Sequence, residues 1–206
     1  MLEKELYLKK NKLLLKSIQV FLIILFFKAN FSTAEESKKL IDEINLHIKE
    51  LNSFSASFIQ TDGITIEEGK IFKNENRIKL SYLYPNKITL IISDKKGMYY
   101  NEELNEVDYF KTEKTPAKII YDVFGGNFTN YSNINDFESN EIIIKKEITI
   151  EKEVKEIIIY FEKSPILLRK IDLVDVGGVV SFGLSNHNFN NNFNKKFFSM
   201  INPTIN

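Results

Sequence analysis

The chain has 206 residues, a length that favours one domain over two, and its formal net charge is zero. Hydrophobic residues make up 43% and charged residues 27%, which is the ordinary range for a globular protein with a real core. It contains no cysteine, which excludes disulfides, thiolate metal sites, cysteine nucleophiles and lipid attachment through cysteine.

The charge is unevenly spread along the chain. Six Lys and two Glu lie within residues 1–34, which leaves 22 basic and 26 acidic residues, a net charge of −4, for residues 35–206. Because phosphate binding needs concentrated Lys and Arg, this mildly acidic body argues against nucleic acid as the main partner.

The first 34 residues have the layout of a secretion signal. Four Lys between positions 9 and 16 precede the apolar run Ile18–Phe27, and the small residues Ser32 and Ala34 follow. As a helix this run would span about 15 Å, half of a roughly 30 Å hydrocarbon core. We therefore predict a signal peptide over residues 1–34, cleaved after Ala34, and an exported mature domain over residues 35–206. The alternative is an uncleaved membrane anchor.

The spacing of apolar residues in the mature chain changes from a helical to a strand period near residue 52. Between Glu35 and Leu51 apolar residues recur at steps of three and four, which predicts a helix with one apolar face. From Phe54 onward apolar and polar residues alternate, the pattern of half-buried strands. Turn residues separate this strand from five more, predicted at Ile64–Lys73, Ile78–Tyr84, Lys87–Ser93, Met98–Asn101 and Val107–Phe110.

One segment interrupts the strands. Thr115 offers a capping hydroxyl before Pro116, a residue favoured at the first helical position, and the pair Gly125-Gly126 stops the chain from continuing as a helix. We predict a short helix over Ala117–Phe124 whose apolar residues face the sheet. The last predicted strands are Glu141–Ile150, Val154–Glu162, Ile166–Val176, Val179–His187 and a short one at Phe197–Ile201.

About ten antiparallel strands in succession favour a curled meander or barrel over a stacked sandwich. Two helices, far apart in sequence, are left to cover the open side. The predicted fold is therefore a single α+β domain.

No constellation of catalytic or metal-binding residues stands out. His47 and His187 have neither the spacing of a metal pair nor that of a nucleophile–base motif. Gly97, Gly125-Gly126 and Gly177-Gly178 are typical of turns rather than of a phosphate-binding loop. We therefore predict no enzyme, no cofactor and no metal. A hydrolase that uses two carboxylates from distant strands stays open as an alternative, because such pairs leave no local signature.

The apolar side of the predicted sheet has two interpretations: a filled core, or a lined cavity for an apolar ligand. The pattern alone does not choose between them. The residues that a cavity or its covering helix would present to a ligand are Phe54, Phe58, Ile71, Leu80, Tyr82, Leu90, Ile92, Tyr99, Ile119 and Val123.

Four short motifs follow one another along the mature chain. They are FSASFIQ from Phe54, GKIFKNENRIKLSYLYP from Gly69, LIISDKKGMYYNEELNEV from Leu90 and TPAKII from Thr115. In this order and at this spacing, behind a signal peptide, they resemble the periplasmic outer-membrane lipoprotein carrier family, LolA. The likeness covers nearly all of residues 35–206.

This resemblance implies an incomplete β-barrel whose opening is covered by helices, and a monomeric carrier for the acyl chains of lipoproteins. Its partners would be acylated lipoproteins, an inner-membrane ABC transporter that releases them, and an outer-membrane receptor. A lipid or hydrophobic-peptide sensor of the same fold and a purely structural envelope protein are the alternatives. The family's Arg-Pro pair, whose arginine is thought to latch the helices shut, is replaced here by Asn74-Glu75, so Lys73 or Arg77 would have to substitute.

Overall fold

The computed structural model describes residues 35, 38–51, 53–133, 140–150 and 153–205. The predicted signal peptide, residues 1–34, lies outside the described residues. The chain divides into two compact units, Met1–Leu40 and Ile41–Asn206, and the sheet and cavities considered below belong to the second.

The first helix, α1, covers residues 38–50, within the stretch predicted from the apolar period. Ile41, Ile44 and Ile48 are buried, at the expected steps of three and four. The second helix, α2, covers Ala117–Phe124 as predicted. Gly126 follows it with φ of +66°, a left-handed conformation that ends a helix and that glycine adopts without strain.

The start of α2 differs in one detail from the prediction. Pro116, rather than Thr115, directly precedes the helix, and no side chain caps it. The Thr115 hydroxyl donates instead to the carbonyl oxygen of Thr112, 3.1 Å away. The predicted capping role of Thr115 is therefore wrong, because a helical turn at Thr112–Lys114 comes immediately before it and takes the hydroxyl.

Among the described residues, eleven strands form one antiparallel sheet. The strands are β1 (Phe54–Thr61), β2 (Ile66–Lys73), β3 (Ile78–Tyr84), β4 (Ile88–Ile92), β5 (Lys96–Asn101), β6 (Glu106–Lys111), β7 (Ser132–Asn133), β8 (Glu141–Ile150), β9 (Glu153–Lys163), β10 (Ile166–Asp175) and β11 (Gly178–Asn188).

Their order across the sheet is β6-β5-β4-β3-β2-β1-β11-β10-β9-β8-β7. The first strand thus pairs with β2 on one side and with the last strand, β11, on the other. The outermost strands, β6 and β7, do not pair with each other in the described part of the chain, so the sheet stays open. The predicted α+β fold, an incomplete antiparallel barrel with covering helices, is confirmed.

The side chains of each strand alternate between two faces of the sheet. We call the inner face the one that carries Phe54, Phe58 and Leu80, because both helices pack on it. The ring of Phe54 lies 5.6 Å from that of Phe124 at the end of α2, and the Lys73 ammonium donates to the carbonyl oxygen of Ile48 in α1. The inner face is therefore where the helices close over the sheet.

The outer face of the sheet around β2 and β3 is covered by the C-terminal segment, residues 193–200. The ring of Phe197 lies 4.9 Å from that of Phe72, and the Lys79 ammonium sits 4.3 Å from the centroid of the same Phe197 ring. This segment contains the helical turn Lys195–Phe198, so the predicted strand at Phe197–Ile201 is wrong. The rings of Phe193 and Phe197 meet Phe72 edge-on, at 87° and 82°, on the face of the sheet, where no strand edge is available for pairing.

Gly97 lies inside β5 rather than in the preceding turn, where the sequence placed it. The ring of Phe110 from β6 covers this position, and a Cβ built on Gly97 would come within 2.0 Å of that ring. The missing side chain makes room for the ring, so β5 begins two residues earlier than the predicted strand.

Candidate ligand-binding site

A cavity of about 360 Å³ lies between the inner face of the sheet and the first turn of α2. This volume falls in the roughly 300–1,000 Å³ range of small-molecule sites. Of the twelve described residues that line it, only Gln60 and Tyr82 carry polar side-chain atoms. The other ten are Leu80, Leu90, Pro116, Ala117, Ile119, Ile120, Ile171, Leu173, Val180 and Phe182.

Four of the ten residues predicted to contact a ligand line this cavity: Leu80, Tyr82, Leu90 and Ile119. A fifth, Phe58, lies directly beneath it. Its ring stacks on Phe182 at 4.7 Å and meets Tyr82 edge-on at 4.9 Å. These five residues come together at one end of the inner face.

The other five predicted residues lie elsewhere. Ile71, Ile92 and Val123 are completely buried among their neighbours, and Phe54 is buried beside them. Tyr99 is half-buried and pairs across the sheet with Leu90, next to the cavity but outside its lining. Whether any of the ten contacts a ligand stays a prediction.

The inner face is packed at one end because α1 and aromatic side chains fill it. The ring of Phe54 has three neighbouring rings, those of Phe124 at 5.6 Å, His187 at 5.7 Å and Phe189 at 5.6 Å. Only a gap of about 10 Å³ remains around it in the described structure. The alternating pattern predicted an apolar inner face. In the structure, the part of this face beneath α1 is packed, and the part beneath the first turn of α2 borders a cavity.

The strand pattern could also have indicated the part of the lining that the prediction missed. Ile171 and Leu173 alternate on β10, and Val180 and Phe182 alternate on β11, as clearly as the predicted residues do on β3. The missing information was topological. The pairing of β11 with β1 places Phe182 directly opposite Gln60, and no local sequence pattern predicts that these two strands pair.

The polar atoms of the cavity belong to one hydrogen-bonded chain. The Tyr82 hydroxyl donates to Gln60 Oε1 at 3.2 Å, and Gln60 Nε2 donates to Glu67 Oε2 at 2.7 Å. Burial, with a smaller contribution from the Glu67 carboxylate, raises the pKa of Tyr82 well above its usual value, so its hydroxyl stays protonated. The three side chains meet because Gln60 and Glu67 face each other across β1 and β2, with Tyr82 on β3.

Lys73 connects the sheet to the end of α1. Its ammonium donates to the main-chain carbonyl oxygens of Ile48, at 3.4 Å, and of Leu51. These carbonyls lie at the C-terminal end of the helix, where a positive charge is favourable. Burial lowers the pKa of Lys73. Arg77, the other candidate to replace the family's arginine, donates instead to the carbonyl oxygen of Phe198 in the C-terminal segment.

A second cavity, of about 500 Å³, lies on the other side of α2 and shares Ile119 with the first. Its rim is charged, and Lys118 pairs there with Asp122 at 2.8 Å. Ile148 and Ile157 contribute apolar surface to it. α2 thus separates an apolar cavity from a mixed one.

The two histidines lie outside both cavities. The Nε2 atom of His47 is buried without a hydrogen-bond partner, and that of His187 lies 2.8 Å from the carbonyl oxygen of Leu168. Within the described residues no group of three or more His, Cys, Asp or Glu is arranged to hold a metal ion. No described helix is long and apolar enough to cross a bilayer.

An incomplete barrel that keeps an apolar hollow beneath a covering helix is the architecture of a protein that binds hydrophobic ligands. The model of the outer membrane lipoprotein carrier protein LolA family matches residues 49–201, and the chain belongs to that family. Its members are periplasmic carriers and not enzymes. A search of curated proteins found no match.

Solved structures share the fold at low sequence identity. An uncharacterized conserved protein from Thermus thermophilus is 10% identical, with a TM-score of 0.53 over 75% of this chain and 90% of that one. The Pseudomonas aeruginosa MucA/MucB complex gives 12% identity, a TM-score of 0.45 and coverages of 72% and 56%. LprF from Mycobacterium bovis is 13% identical, with a TM-score of 0.39 over 74% of this chain and 93% of that one. The first of these likenesses supports the fold, and the other two are too weak to support more.

Proposed function

We propose that this protein carries lipoproteins through the periplasm by holding their acyl chains in the 360 Å³ cavity between the sheet and α2. It would receive them from an inner-membrane ABC transporter and deliver them to an outer-membrane receptor. The observation that carries the proposal is the hollow itself. Leu80 and Leu90 of the sheet face Ile119 and Ile120 of α2 across empty space in a chain that belongs to a carrier family.

The physical need for such a cavity follows from the hydrophobic effect. Exposing one chain of roughly sixteen carbons to water costs on the order of 12 kcal/mol, at about 0.8 kcal/mol per CH₂. A lined cavity offsets that cost, and a movable cover lets the cargo leave again. α2 is suited to be that cover, because only its C-terminal residues Val123 and Phe124 are buried while Ile119 and Ile120 border the hollow.

The closure of the helices over the sheet depends on few polar contacts. Lys73 holds the end of α1, and the Asn45 side-chain oxygen accepts the main-chain N–H of Phe128, 3.0 Å away, just after α2. The chain that follows α2 is thereby tied to α1. Release of cargo then requires α2 to move away from the sheet while α1 stays attached.

The test is to purify the protein from the cell envelope under native conditions and identify what accompanies it by native mass spectrometry. Diacylated or triacylated protein would support the proposal. Free sugar or peptide product would favour the hydrolase, and a non-acylated peptide or free lipid would favour the sensor. Either result would contradict the carrier role.

A further inference from the structure

The hydrogen-bonded side chains of Tyr82, Gln60 and Glu67 at the cavity leave one N–H donor, on Gln60, without a partner among the described residues. Gln60 Oε1 accepts from Tyr82, and one hydrogen of Gln60 Nε2 goes to Glu67. No described residue accepts the second hydrogen of Nε2. Gln60 lines the cavity, so a ligand there meets this side-chain amide N–H donor among mostly apolar side chains.

The charge at this position is negative. Glu67 lies beside Gln60 on the neighbouring strand, and none of the twelve described residues that line the cavity is Lys, Arg or His. A ligand that ends in a carboxylate would bring a second negative charge towards Glu67 with no cation to offset it, and desolvating that charge is costly. A neutral carbonyl oxygen needs only one donor, which Gln60 supplies.

From this geometry we infer that the cavity accepts acyl chains bound as neutral esters or amides and discriminates against free fatty acids. Gln60 donates to the acyl carbonyl, and Glu67 both orients the Gln60 amide and repels a free carboxylate. The inference rests on the proposed function and adds to it the chemical form of the cargo. A lipoprotein bears its chains as esters and an amide, whereas a free fatty acid offers the same hydrocarbon with a charged end.

The Gln60–Glu67 hydrogen bond also has an ordinary structural interpretation, as a cross-strand pair on β1 and β2. That role would affect stability and leave ligand preference unchanged. The two roles are separated by comparing Glu67→Gln with Glu68→Gln. Glu68 is the next residue of the same strand, pairs with Ile59, and lies on the outer face.

The experiment measures displacement of the neutral fluorescent probe N-phenyl-1-naphthylamine from the purified protein. The competitors are dodecanoate, kept below its micellar concentration, and methyl dodecanoate, kept below its solubility limit. The quantity that tests the inference is the ratio of the two competitors' dissociation constants. We expect Glu67→Gln to reduce the preference for the ester about fivefold, mainly by strengthening dodecanoate binding, and Glu68→Gln to leave the ratio unchanged.

An unchanged ratio in Glu67→Gln would overturn the inference while leaving the proposed function intact. So would equal or tighter binding of dodecanoate than of its ester to the unmodified protein. If neither competitor displaces the probe, the cavity does not bind acyl chains, and both the proposed function and the inference fail.

Discussion

The ammonium of Lys73, on the inner face of β2, donates to the main-chain carbonyl oxygen of Leu51 at the end of α1. It donates to the carbonyl oxygen of Ile48 as well, and the residue is 6% exposed. Of the two residues that the sequence offered in place of the family's arginine, Lys73 contacts α1 and Arg77 does not. A compact ammonium satisfies two carbonyls without the planar fork of a guanidinium.

Replacing Lys73 by Met should loosen α1 while keeping the volume of the side chain. We expect faster amide hydrogen exchange in residues 41–50 and a loss of about 1–2 kcal/mol in the free energy of unfolding, because one buried and one partly buried carbonyl lose their donor. Lys73→Arg should keep part of the contact. Exchange rates in α1 that match those of the unmodified protein would show that Lys73 does not hold the helix.

The same residue predicts a pH dependence of stability. Burial lowers the pKa of Lys73 below its ordinary 10.5, so between the two values the unfolded chain binds more protons than the folded one. The free energy of unfolding therefore rises with pH through that window. As the pH rises towards 10.5, urea unfolding should show the unmodified protein gaining stability relative to Lys73→Met. This comparison cancels the contributions of the other titratable groups. A difference independent of pH would contradict this.

Two adjacent valines on β11 offer a matched test of the cavity. Val180 lines the cavity and is 40% exposed as a residue, and Val179 lies on the opposite face and is 43% exposed. We expect Val180→Glu to weaken acyl-ligand binding about tenfold or more, because the carboxylate must be desolvated when the chain binds. Val179→Glu should change binding less than about twofold. Both variants should unfold at similar urea concentrations, and equal loss of binding in both would argue against the cavity.

Gly69 on β2 and Gly183 on β11 lie on the two strands that flank β1. The two positions should differ sharply in their tolerance of an added methyl group. A Cβ at Gly69 would come within 2.3 Å of the main-chain oxygen of Ser81 and 2.6 Å of the Phe58 ring. At Gly183 the nearest atom, the Ile59 carbonyl oxygen, is 3.8 Å away. Gly69→Ala should lower the free energy of unfolding by about 1–3 kcal/mol, whereas Gly183→Ala should be close to neutral. Urea denaturation measures both, and similar effects would mean that β2 and β3 relax freely.

The predicted export signal has a direct test. If signal peptidase cleaves after Ala34, the intact mass of the protein recovered from the cell envelope corresponds to residues 35–206, with Glu35 at its N-terminus. Retention of residues 1–34 together with membrane association would favour the uncleaved anchor.

Much of the architecture follows from local patterns. The alternation along Ile78–Tyr84 predicts β3, and the Pro–Gly punctuation around Ala117–Phe124 predicts α2, because each signal reflects contacts within a few residues. The failures lie where a distant segment decided the outcome. Gly97 lies in a strand instead of the predicted turn, because the ring of Phe110 covers it. Phe197 lies in a helical turn instead of the predicted strand, because its ring packs against Phe72.

By itself, the amino-acid sequence determined an open antiparallel sheet with two helices, one apolar face, and membership of a lipoprotein-carrier family. Only the tertiary structure decided where that face is hollow. Phe54 and Leu90 have the same alternating pattern, yet Phe54 is enclosed by three aromatic rings whereas Leu90 is only half-buried and borders a space that α2 covers without filling. Periodicity reports which way a side chain points, and whether anything meets it there depends on segments far away in the chain.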